Sequence, residues 1–168
     1  MKYYSLTTSQ SFELDIKKVF NFFSKPENLE EITPPNLKFK IITRPPIPML
    51  EGQIIDYKIT ISLIPIKWKT LIVDYNPPYY FIDKQIKGPY SLWIHSHKFK
   101  YEDGITTVTD IVKYKPPFYF IGAIANKIYI KNMLCKIFEY RFNKIAEIFK
   151  LEYPGINVQN KDQQISII

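Results

Sequence analysis

The stretch FIDKQIKGPYSLWIHSHKFKYEDGITTVTDIVKY, Phe81 to Tyr114, decides the fold. It contains three runs rich in β-branched and aromatic residues, FIDKQI, SLWIHSHKFKY and TTVTDIVKY, separated by Gly88-Pro89 and Asp103-Gly104. Both separators are turn chemistry, so the runs read as consecutive antiparallel strands. The middle run holds the chain's two histidines, His95 and His97. Residues two apart on a strand share a face, which groups both histidines with Trp93 and Phe99. Ser96, Lys98 and Lys100 form the opposite, solvated face, so His95 and His97 turn inward.

Working outward, the strand pattern continues upstream through IKWKTLIVDY, GQIIDYKITISL and LKFKIIT. Pro45, Pro46 and Pro48, the Ile64-Pro65 corner, and Asn76 to Pro78 separate them. Ahead of these, YYSLTTSQSFEL reads as a first strand, with Asp15 as N-cap of a short helix over IKKVFNFFS. A second short helix over PENLEEI starts at Pro26 and ends at Thr33, Pro34 and Pro35. Beyond Pro116 and Pro117, Tyr119 to Lys150 carries a helical apolar stripe through Ile121, Ile124, Ile128, Leu134, Ile137, Phe138, Ile145 and Ile148. Pro154-Gly155 breaks it, and residues 151–168 read as a loose polar tail after a single domain over 1–150. The expected class is α+β: a curved antiparallel sheet of about seven strands wrapped around one long C-terminal helix, with two short helices after the first strand. Such a sheet and helix leave a hollow between them.

The 168 residues suit one core, burying roughly 70% of the unfolded chain's surface. A single cysteine, Cys135, precludes an internal disulfide or a multi-cysteine zinc site, and reads as a buried structural thiol. The N-terminus has no apolar signal core, and PPFYFIGAIAN is too short to span a bilayer, so a cytoplasmic protein is expected. A net charge of +7 is spread over scattered lysines without a basic block or a nucleic-acid motif, and no nucleic-acid partner is expected. Glycine is scarce, with no nucleophile elbow, phosphate-cradling loop or Rossmann fingerprint; hydrolase, kinase and dehydrogenase chemistry are set aside. Glu30-Glu31 reads as a solvated face.

The spacing D-x-Q-x-x-G-P-Y-x-x-W-x-H-x-H-x-F, in Asp83, Gln85, Gly88, Pro89, Tyr90, Trp93, His95, His97 and Phe99, resembles the ligand-binding SRPBCC proteins. These belong to the START and birch-pollen-allergen superfamily, on its polyketide cyclase/dehydrase-like branch. PENLEEITPP (Pro26 to Pro35) and the helical IFEYRF (Ile137 to Phe142) add to the likeness, which covers residues 3 to 150. The resemblance implies a helix-grip fold whose cavity takes a small hydrophobic or amphipathic molecule, lipid-, polyketide- or isoprenoid-like. Its chemistry is left open, because the superfamily mixes carriers, receptors and cyclases.

Parity extends the candidate wall. Val108, Asp110, Val112 and Tyr114 form the more apolar face of their strand and Trp68, Thr70 and Ile72 that of theirs, while Phe81, Asp83 and Gln85 share a third face, which the resemblance and not its own pattern implies is inward. Arg141 continues the helical stripe, and a buried guanidinium calls for a carboxylate such as Asp83 or Asp110. The ligand-binding set is therefore Tyr57, Trp68, Asp83, Gln85, Trp93, His95, His97, Phe99, Asp110 and Arg141. The polar cluster reads as a hydrogen-bonded core network, as the polar end of a ligand cavity, or as a general acid/base pair of His95 or His97 with Asp110. The last would make a cofactor-independent cyclase or dehydratase; a non-catalytic binder is the main reading, and no cofactor is assigned. Two histidines and one aspartate would suit iron or zinc, but the chain lacks further His or Cys ligands and flanks the pair with Trp93 and Phe99, so no metal is assigned. A third function is that of an adaptor, docking a membrane or protein through a lip at Phe118, Tyr119, Phe120 and Ile121 on to Ile124.

Overall fold

The computed structural model describes residues 3–118 and 126–167. Strand β1 (Tyr4–Phe12) leads into α1 (Ile16–Phe23), and two 3-10 turns follow, Pro26–Leu29 and Pro35–Leu37. Then come β2 (Lys40–Ile41), β3 (Ile54–Ile61), β4 (Ile64–Asn76), β5 (Tyr80–Lys87), β6 (Leu92–Glu102) and β7 (Ile105–Lys115). A π-helical turn (Asn126–Ile130) opens α2 (Lys131–Glu152), and β8 (Val158–Ile167) closes the described chain. All eight strands form one antiparallel sheet in the order β2-β3-β4-β5-β6-β7-β1-β8.

Local chemistry explains these boundaries. Asp15 caps α1 by accepting from the Lys17 amide at 2.8 Å. The β6–β7 hairpin turns at Asp103-Gly104, both in the left-handed region, as a two-residue turn requires. The β3–β4 turn falls on Ser62 and Leu63, also left-handed, instead of at the Ile64-Pro65 corner. The β4–β5 ladder shifts register twice, through an extra residue on β5 opposite Lys69 and Thr70 and an extra residue on β4 between Ile72 and Asp74, and such bulges bend a strand.

Four expectations are corrected. The strand read over LKFKIIT shrinks to Lys40–Ile41, because Pro34 and Pro35 start a 3-10 turn and Lys38 takes a left-handed conformation. The segment read as a loose tail supplies an eighth strand: β8 pairs with β1 from Phe12↔Val158 to Tyr4↔Ile167. Backbone pairing needs no apolar alternation, so its polar sequence hid it. Ile128 is exposed, outside the buried stripe, and α2 runs past Lys150 to Glu152. Cys135 is half-buried and not in a disulfide. Of the lip, Phe118 is exposed, whereas Tyr119, Phe120, Ile121 and on to Ile124 lie outside the described residues. Among the described residues, no helix is long and apolar enough to cross a membrane.

Two core clusters hold α2 on the sheet. At one end Phe12, Phe20, Phe81 and Phe99 meet Ile145 and Phe149; at the other Leu6, Trp68, Tyr90 and Tyr114 meet Leu134 and Phe138. Between them Gln10 donates from Nε2 to the Phe142 carbonyl at 2.9 Å, tying β1 to the middle of the helix. Burying that amide unpaired would cost about 1–3 kcal/mol.

The Gly88-Pro89-Tyr90 loop between β5 and β6 is held by Gln85, which donates from Nε2 to the Tyr90 carbonyl at 2.7 Å and accepts from its amide at 3.3 Å. A Cβ on Gly88 would lie 2.4 Å from Gln85 Oε1. Gly88→Ala should therefore displace that side chain and cost about 1–2 kcal/mol in urea unfolding. In a Gln85→Ala background the same substitution should cost far less, and equal costs in both would remove the explanation.

Candidate functional site

The two core clusters do not meet completely, and a cavity of about 150 Å³ remains between the curved sheet and α2. Its apolar wall includes Leu37, Ile59, Trp68, Trp93, Leu134 and Phe138; its polar wall is Tyr57, Thr70, Asp83, His95, His97 and Arg141. The aromatic part is interlocked: Trp68 stacks on Tyr57 with centroids 5.8 Å apart and meets Trp93 edge-on at 5.2 Å.

The strands position the polar groups through register. Asp83 of β5 stands opposite His95 of β6, and His97 stands opposite Asp110 of β7. Each imidazole thus touches both carboxylates. His95 Nε2 lies 3.2 Å from Asp110 Oδ1, with its Nδ1 3.7 Å from Asp83 Oδ2. His97 Nε2 lies 3.3 Å from Asp83 Oδ2, and its Nδ1 lies 2.7 Å from Asp110 Oδ1. That last contact is a charge contact out of line for a hydrogen bond. The two rings are 3.8 Å apart, and Phe81 stacks on the outer side of His97 at 4.1 Å.

Burial and charge act together here. Burial pulls the His95 pKa down, and the neighbouring His97 adds to the shift. Burial also pulls on His97, but Asp110 and Asp83 outweigh it and raise its pKa. The two shifts run in opposite directions, which makes His97 the more basic of the pair. Burial alone would raise Asp110, yet the two histidines hold its carboxyl far below the usual range. Burial lowers the Arg141 pKa against the pull of Asp110, Asp83 and Tyr57. It raises the Tyr57 phenol, whose oxygen sits 3.3 Å from Thr70 Oγ1.

Of the residues singled out by sequence, the structure brings Tyr57, Trp68, Asp83, Trp93, His95, His97 and Arg141 to the cavity wall. Three of the set sit elsewhere. Gln85 is turned back to hold the β5–β6 loop, Phe99 belongs to the aromatic cluster against α1, and Asp110 lies behind the histidines. Arg141 makes no ion pair with either aspartate: its guanidinium lies over the Phe138 ring at 5.1 Å, and its buried Nε meets no acceptor among the described residues. Thr70, Leu134 and Phe138, each on a face already marked as inward, also line the wall, as does Tyr90 of the β5–β6 loop, which no strand or helix pattern reached.

An eight-stranded antiparallel sheet gripping a long C-terminal helix, with short helical turns after the first strand, is a helix-grip fold. No protein-family model matches the chain, and no curated protein matches it in sequence. Solved structures share the fold. Protein Ms6760 from Mycobacterium smegmatis superposes with a TM-score of 0.65 at 16% identity, covering 89% of this chain and 92% of its own. TTHA0849 from Thermus thermophilus gives 0.65 at 12%, over 89% and 99%. Ginseng major latex-like protein 151 from Panax ginseng gives 0.62 at 13%, over 86% and 95%.

Removing Asp110 leaves two buried imidazoles without the carboxylate they share. Asp110→Ala should cost about 3–5 kcal/mol in chemical unfolding. Lys100→Ala, which breaks a pair with Glu102 that is 72% and 65% exposed, should cost less than about 1 kcal/mol. Similar costs would mean that the cluster does not hold the fold.

Proposed function

We propose that the protein binds a small amphipathic molecule between its sheet and α2, as a ligand-binding member of the SRPBCC superfamily. The observation that carries this reading is the cavity itself, a mostly apolar hollow with an ionisable cluster in its wall. Its fold neighbours include a major latex-like protein, and the D-x-Q-x-x-G-P-Y-x-x-W-x-H-x-H-x-F spacing supports the same superfamily.

Size and chemistry narrow the occupant. About 150 Å³ is the volume of an engineered cavity that accepts benzene, so the buried part is one ring or a short branched chain. Trp68 Nε1 and Arg141 Nε are buried donors without an acceptor among the described residues. An oxygen on the ligand, a carbonyl or a carboxylate, satisfies such donors. About eight non-hydrogen atoms at about 0.5–1 kcal/mol each give micromolar to millimolar affinity.

A second reading, a cyclase or dehydratase without cofactor, draws on the 2.7 Å contact between His97 and Asp110, with His97 on the cavity wall. It would use His97 as proton carrier to the cavity.

Native mass spectrometry of the purified chain, and titration with phenylacetate followed by Trp emission, test the binding reading. Saturable binding is expected in the wild type, with at least a ten-fold loss in Ile137→Trp, which fills the cavity. Neither a retained small molecule nor saturable binding, or equal binding in Ile137→Trp, would sink it. His97→Ala should change affinity; abolished turnover of a bound polyketide would instead favour the second reading.

A further inference from the structure

The cluster behind the cavity has a polarity that hydrogen bonding within it does not use up. Asp110, buried, faces one nitrogen of each histidine: Nε2 of His95 at 3.2 Å and Nδ1 of His97 at 2.7 Å. The other two nitrogens, His95 Nδ1 and His97 Nε2, face Asp83 Oδ2 at 3.7 and 3.3 Å. Asp83 and both histidines line the cavity, whereas Asp110 does not. The two carboxylates thus flank the imidazole pair, Asp110 from β7 and Asp83 from β5, with Asp83 the one on the cavity wall.

Asp110 is hydrogen-bonded to His95 Nε2 and sits against His97 Nδ1, so the nitrogen of each ring that is turned to Asp83 is the one placed to ligate an ion. His95 Nδ1, His97 Nε2 and Asp83 Oδ2 converge on one place, where the proton of the His97–Asp83 hydrogen bond can give way to a divalent cation. For ligand bonds of about 2.0–2.2 Å, tetrahedral donors lie about 3.3–3.6 Å apart, close to the two measured separations. One donor atom from each of Asp83, His95 and His97 lies within 4.8 Å of the others. An outer carboxylate orienting a ligating histidine is the usual support of a metal centre. Here one carboxylate supports two.

We propose that Asp83, His95 and His97 bind one divalent first-row transition-metal ion, with Asp110 as the outer carboxylate that orients both imidazoles. Two imidazoles and a carboxylate select zinc or ferrous iron over magnesium and calcium, which prefer all-oxygen sites. Three protein ligands on a cavity wall leave a coordination position facing the hollow, the mark of a reactive site and not a structural one. The absence of further His or Cys, which argued against a metal at the level of sequence, fits this open geometry. The proposal goes beyond ligand binding and does not depend on it, since the metal is titrated with the cavity's organic ligand left out.

The test uses the full chain, freed of any affinity tag and treated with chelator, titrated with Zn²⁺ by calorimetry and with Co²⁺ by visible absorption. Binding of one ion per chain is expected, with d–d bands of a four- or five-coordinate Co²⁺ centre. In long-range ¹H–¹⁵N spectra, Zn²⁺ should shift His95 Nδ1 and His97 Nε2, an outcome that needs no variant. Asp83→Asn, which keeps the shape, should weaken Zn²⁺ binding at least ten-fold with unchanged circular dichroism; Asp110→Asn should weaken it about 10–100-fold. Absence of saturable Zn²⁺ and Co²⁺ binding would overturn the proposal and leave a proton-bridged network. So would affinity indifferent to Asp83→Asn, or Zn²⁺ that shifts neither imidazole, since either puts the ion elsewhere on the chain. Phenylacetate binding that persists in the chelated protein would leave the cavity reading standing alone.

Discussion

The neutralisation of Asp110 constrains everything around it. A carboxylate that is 4% exposed survives burial only with compensating partners, and those partners come from the neighbouring strand. Three strands must therefore keep one register: Asp83 against His95, and His97 against Asp110. A slip of one residue would put the charges on the solvated face and Ser96 and Lys98 inside. Apolar packing alone tolerates rearrangement more easily than a charge network does. The cluster thus specifies which of several possible pairings the middle of the sheet adopts, while the two aromatic and aliphatic clusters supply most of the apolar burial.

The same network gives the cavity its character. The β4–β5 ladder carries two bulges, and the helix is fixed at both ends by Phe149 and Leu134 and in the middle by Gln10. The space left over is lined by aromatic and aliphatic side chains together with ionisable groups. Two wall donors, Trp68 Nε1 and Arg141 Nε, find no acceptor among the described residues.

Much of this was legible in the chain. The alternation in LWIHSHKFK turned both histidines inward, and TTVTDIVKY put Asp110 on the same side. Turn residues marked most strand ends. Parity, however, gives a face and not a depth along the strand, so Phe99 and Asp110 share the inner face without touching the cavity. Nor does parity see a side chain that folds back, as Gln85 does to hold Tyr90. Helical period aimed Arg141 at the sheet, but its distance from the aspartates depends on how far α2 stands off, which no local pattern encodes. Strand β8 was hidden because pairing through backbone amides leaves no signature in side-chain order.

That eighth strand also sets how the molecule bears load. Tyr4 stands opposite Ile167, so β1 and β8 leave the sheet from the same end. Tension applied between those ends would not shear the ladder with all its hydrogen bonds acting in parallel. It would open them one pair at a time from Tyr4 and Ile167 inward, like a zip. The outer strand is then the mechanically weak seam, and β1, still paired with β7, remains in place after β8 has peeled away.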